Sequence, residues 1–74
     1  MDVDFANRIV HIRELQVGIV VENANSRDGY YEGIKRFGHL VGLGANAQDE
    51  LLLQVRFLGA DSPVYIHPAN LKLV

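Results

Sequence analysis

The chain has 74 residues, 49% of them hydrophobic and 22% charged, with a net charge of −2. That length holds one domain around one small core, and the composition excludes the disordered class. There is no cysteine, which excludes disulfides, thiolate metal sites and a cysteine nucleophile.

The first residues, Met1-Asp2-Val3-Asp4, are acidic and lack the basic-then-apolar order of a secretory signal. No apolar run approaches the roughly 18–20 residues a membrane span requires. The expectation is a cytoplasmic protein with no membrane partner. Residues 1–13 form an arm that reads two ways. Phe5, Ile9 and Ile12 fit a helical face with Asp4 as N-cap. The β-branched residues crowded between Ile9 and Ile12 fit an added strand, which is the preferred reading.

From residue 14 onward strand signals dominate. Leu15 to Val21 is nearly continuous and β-branched, with Leu15, Val17, Ile19 and Val21 on one face. Asn23 to Gly29 is a polar loop. Tyr30 to Leu43 is punctuated by Gly33, Gly38 and Gly42, the pattern of a bent or bulged strand. A loop over Gly44 to Asp49 leads into the clearest strand, Leu51 to Leu58. There Leu51, Leu53, Val55 and Phe57 point one way and Leu52, Gln54, Arg56 and Leu58 the other. A turn at Gly59 to Pro63 precedes the strand Val64 to His67, with Val64 and Ile66 inward and Tyr65 and His67 outward. Pro68-Ala69-Asn70 reads as one turn of 3₁₀ helix, and Leu71 to Val74 as a last strand. The expected core is Leu15, Val17, Ile19, Val21, Val41, Leu51, Leu53, Val55, Phe57, Val64, Ile66 and Leu71.

Short strands, a glycine-bent second strand, a tight turn, a one-turn helix and a final strand resemble the SH3-like barrel. Val64-Tyr65-Ile66-His67-Pro68-Ala69-Asn70-Leu71 looks like its close, and Leu15 to Val21 is similar to its opening strand. The resemblance implies an all-β fold, a small barrel of about five strands over residues 14–74, with one 3₁₀ turn before the last strand. It implies no single function, because such barrels host binders, structural subunits and a few enzymes.

Gly38-His39-Leu40-Val41-Gly42-Leu43 and Val64-Tyr65-Ile66-His67-Pro68 are also similar to segments of the plasmid-encoded type II dihydrofolate reductases. That resemblance implies a tetramer with a central pore binding folate and NADPH. Tyr65 and His67, however, stand where that family carries its pore glutamine and tyrosine. Glu22 and Asn23 replace its paired lysines, and a pore for anionic substrates needs positive charge.

No catalytic constellation emerges. His11, His39 and His67 lie on separate segments without metal-ligand spacing. Ser26 and Ser62 sit in turns rather than a nucleophile elbow, and Gly42-Leu43-Gly44 has no phosphate-loop continuation. The expectation is a non-enzyme with no metal and no cofactor. Tyr30, Tyr31, Lys35, Arg36 and Phe37 form an aromatic-basic stretch suited to a protein or peptide ligand. Nucleic acid is the weaker alternative, because these basic residues are too few to drive phosphate affinity. Leu52, Leu58, Tyr65 and His67 face away from the core, and an apolar outer face implies an interface between copies in a homo-oligomer. The expected function is therefore a non-catalytic, self-associating interaction or assembly module.

Overall fold

The computed structural model describes residues 1–6, 8–24 and 37–74. Its strands are β1 (Asp2–Phe5), β2 (Arg8–His11), β3 (Val20–Asn23), β4 (Phe37–Ala45), β5 (Leu51–Phe57), β6 (Val64–Ile66) and β7 (Leu71–Leu73). Single 3₁₀ turns span Ile12–Glu14 and Pro68–Asn70. The architecture is all-β. β1 and β2 form an antiparallel hairpin, and the remaining strands make a five-stranded sheet in the order β6-β5-β4-β3-β7. The two sheets are not joined into a closed barrel.

The arm is extended, as the β-branched run suggested, but it is two strands rather than one. Val3, Phe5 and Val10 are buried together with Val21, Leu40, Leu53, Val55, Phe57 and Leu71. Alternation explains the selection: Val3 and Phe5 share a face of β1, and Val3 stands opposite Val10 in the hairpin register. The hairpin thus lies on the inner face of the sheet, anchored near β7 by the Ala6 N–H donating to the Leu71 carbonyl. Where its other flank meets the sheet, a cleft of about 390 Å³ remains between Arg8, Val10, Glu14, Leu15, Ile19 and Leu73.

The expected opening strand is shorter than Leu15 to Val21. The chain leaves the first 3₁₀ turn at Leu15 and turns again at Val17-Gly18, where Gly18 has φ +98°. That conformation suits glycine and ends any extended run. Pairing with β4 starts where the Leu40 N–H donates to Ile19 O and the Gly18 N–H to Leu40 O. Val17, expected in the core, is consequently 75% exposed.

β4 carries the bend that its glycines implied. The β4–β5 register shifts between Leu40 and Gly42, leaving Val41 as the extra residue of a bulge. The bulge is why Leu40 rather than Val41 is buried. Val64, also expected inside, pairs with Val55 but stays 45% exposed at the sheet's edge. Leu15, Ile19, Leu51 and Ile66 are half-buried against the core as packing partners.

Two substitutions check this packing. An ideal Cβ on Gly38 would lie 2.7 Å from Arg56 O and 2.9 Å from Phe57 Cα, and backbone has little freedom to give way. Gly38→Ala is expected to destabilise by about 1–3 kcal/mol in denaturant titration. Phe5→Ala is expected to cost about 3–5 kcal/mol, the range for deleting a buried aromatic. A change near zero would show that the hairpin is an appendage to the core rather than part of it.

Candidate interaction surface

The inner face of the five-stranded sheet carries the core, so strand alternation assigns the outer one. On β5 the outward residues are Leu52, Gln54 and Arg56, followed by Leu58 just beyond the strand. Register carries the face sideways. Gln54 pairs with Tyr65 on β6 and Gly42 on β4, Leu52 with Gly44, and Arg56 with His39, which in turn pairs with Val20. The Leu58 N–H donates to the Phe37 carbonyl at 3.0 Å, which sets these two large apolar residues side by side. Leu58 and Tyr65 are 57% and 56% exposed, and Phe37 is 39% exposed.

The face therefore has two apolar ends, Phe37–Leu58 and Leu52–Tyr65, separated by His39, Gln54 and Arg56. Glycines shape the second end. An ideal Cβ on Gly44 would lie 2.6 Å from Tyr65 Cε1, and one on Gly42 would lie 2.8 Å from Gln54 Oε1. The tyrosine ring crosses β5 and lies on the bare backbone of Gly44, the arrangement known as aromatic rescue of a strand glycine. Tyr65 thus rests against Gly44, its remaining surface open to solvent.

Of the residues expected at an interface between copies, Leu52, Leu58 and Tyr65 fall on this one face. Leu52 is half-buried and the other two are exposed. His67 has a local task that its outward position did not announce. It precedes the second 3₁₀ turn in extended conformation, and its Nδ1 accepts the Ala69 N–H at 3.1 Å. His11 does the same for the first turn, accepting the Arg13 N–H at 3.1 Å. In both places histidine fills the role usually taken by Asn, Asp or Ser at a helix start. His67 Nε2 also lies 3.7 Å from Glu50 Oε2. Glu50 belongs to the β4–β5 turn, where Asn46 Oδ1 accepts the Gln48 and Glu50 N–H groups and Asp49 takes φ 62°. The histidine thereby lies beside that turn at the end of β6.

Tyr30, Tyr31, Lys35 and Arg36 of the aromatic-basic stretch lie outside the described residues; Phe37, its last member, starts β4. Among the described residues no three His, Asp or Glu side chains converge as a metal site, and no helix is long and apolar enough to cross a membrane. Compared with known proteins, the chain matches no family model, no curated protein and no solved structure. Sequence reasoning missed Phe37 as part of the outer apolar face. The signal was its place two residues before His39, on the same side of β4.

Replacing His67 by Ala is expected to destabilise the domain by about 0.5–2 kcal/mol through the lost cap, while His67→Asn keeps most of the stability. Thermal denaturation of the two variants checks this, and equal losses would count against the capping role.

Proposed function

We propose that this domain is a non-catalytic assembly module that self-associates through the outer face of its five-stranded sheet. The observation carrying the proposal is the exposed apolar surface of Leu58, Tyr65 and Phe37, joined by Leu52, on adjoining strands of one face. Scattered surface leucines are ordinary. Large apolar side chains gathered on one sheet face, with an exposed arginine among them, have the composition of an interface centre. Tyr65 suits such a role because its ring already rests against Gly44, and a side chain with a preferred resting place loses less entropy on docking.

We infer further that the sheet is of the SH3-like kind. The sheet order β6-β5-β4-β3-β7, with the 3₁₀ turn of Pro68–Asn70 leading into β7 beside β3, supports it. So small a domain gains most from a partner when one face of its sheet is already covered from within and the other is bare.

Leu58→Glu is the direct test. The charge is solvated in the free chain and desolvated only in the assembly. Sedimentation or light scattering is expected to show a lower mass for the variant than for the parent at high micromolar concentration, with the fold retained. An unchanged mass, or a parent that is monomeric at that concentration, contradicts the proposal.

A further inference from the structure

The sheet has a second opening, at the side of β4. β3 runs beside only the first half of β4: Val20, Val21 and Glu22 pair with His39, Gly38 and Phe37, and Gly18 and Ile19 bond to Leu40. After the bulged Val41, Gly42 to Ala45 pair with β5 on one side, and among the described residues no strand pairs with the other side of Val41–Ala45. A free strand side presents unpaired N–H and C=O groups and is a template for strand addition. The sheet's terminal strands are guarded against this. β6 is three residues long, set between Pro63 and Pro68, and β7 is anchored to the hairpin through Leu71. The free segment, Val41-Gly42-Leu43-Gly44-Ala45, has no proline and no charge.

We infer that Val41–Ala45 of β4 pairs antiparallel with the same segment of a second copy of this chain, across a two-fold axis at Leu43. Three considerations bear on that occupant and its register. The first is length. The free stretch is bounded at one end by Gly18 on Leu40 and at the other by the turn that starts at Asn46. A long extended peptide would run into Gly18, whereas the copy's β4 turns away at its own Asn46 after the same number of residues. The second is register. Centring on Leu43 sets Leu43 opposite Leu43, Gly42 opposite Gly44 and Val41 opposite Ala45. A slip of one residue would put the inner face of one copy beside the outer face of the other. The third is burial. Leu43 pairs with the buried Leu53 on the inner face yet is 50% exposed, and the copy's Leu43 covers that gap.

This inference rests on the self-associating reading above and adds a second, independent contact to it. Two isologous contacts on different sides of one chain build a closed tetramer when their two-fold axes cross at right angles. The experiment therefore starts from Leu58→Glu, in which the face contact is blocked, and measures mass together with amide exchange at Val41–Ala45. A dimer is expected, with protection at Val41–Ala45 that rises with protein concentration. Adding Leu43→Lys, an inward charge at the strand's open side, is expected to reduce it to monomer. Protected amides at Leu53 and Val55 serve as the control that the fold survives. A monomeric Leu58→Glu protein with freely exchanging Val41–Ala45 amides overturns the edge pairing and leaves the face reading intact. Edge protection in a parent whose mass Leu58→Glu does not change sinks the face reading instead. Val41–Ala45 protection in a monomeric Leu58→Glu protein that does not change with concentration likewise overturns self-pairing.

Discussion

A five-stranded sheet has two faces to hide, and in this chain the hairpin's Val3, Phe5 and Val10 cover one of them. Their packing against Val21, Leu40, Leu53, Val55, Phe57 and Leu71 makes the interior. At about 25 cal/mol for each Å² of apolar surface removed from water, the buried aromatic and its neighbours dominate what stabilises so short a chain. Everything else follows from how far that cover reaches. It is anchored at β7 through Ala6 and Leu71, and it leaves Leu43 and Val64 partly bare on the flank of β4, β5 and β6. The outer face receives no such cover from the described residues.

The bulge at Val41 connects the core to both openings. One extra residue lets Leu40 and Leu43 both face inward, and the turn at Gly18 ends the pairing with β3 just before it, at Leu40. The bulge also places Gly42 and Gly44 on the outer face, where Gln54 and Tyr65 lie on them. A side chain at Gly44 would lift the tyrosine ring and loosen the apolar end of the surface. The open strand side and the tyrosine resting on Gly44 thus meet on one short segment, Leu40-Val41-Gly42-Leu43-Gly44.

The parts of the fold visible in the sequence were those governed by local rules. Strict alternation announced β5, Pro68 after an extended residue announced the second 3₁₀ turn, and regularly placed glycines announced the bulged β4. What stayed hidden depended on tertiary context. Val17 alternates correctly with Ile19 and Val21, but Gly18 in a left-handed turn removes it from the strand. Residues 1–13 read as a helix through Phe5, Ile9 and Ile12 or as a strand through the β-branched run, until a sheet is present to receive Phe5 and Val10. Leu52, Leu58 and Tyr65 were legible as one surface because period-2 alternation fixes faces. His67 was not legible as a cap, since its role depends on the backbone N–H of Ala69 and on Glu50 across the β4–β5 turn.

The central claim is that one face of the sheet is closed within the chain while the outer face and the side of β4 are closed between chains. Methyl-resolved NMR with a soluble paramagnetic probe, recorded across a dilution series, tests it most directly. Leu53 and Val55 methyls are expected to be shielded at every concentration, while Leu43 and Leu58 methyls are reached by the probe when dilute and shielded when concentrated. Leu43 and Leu58 methyls equally accessible across the whole series would contradict it.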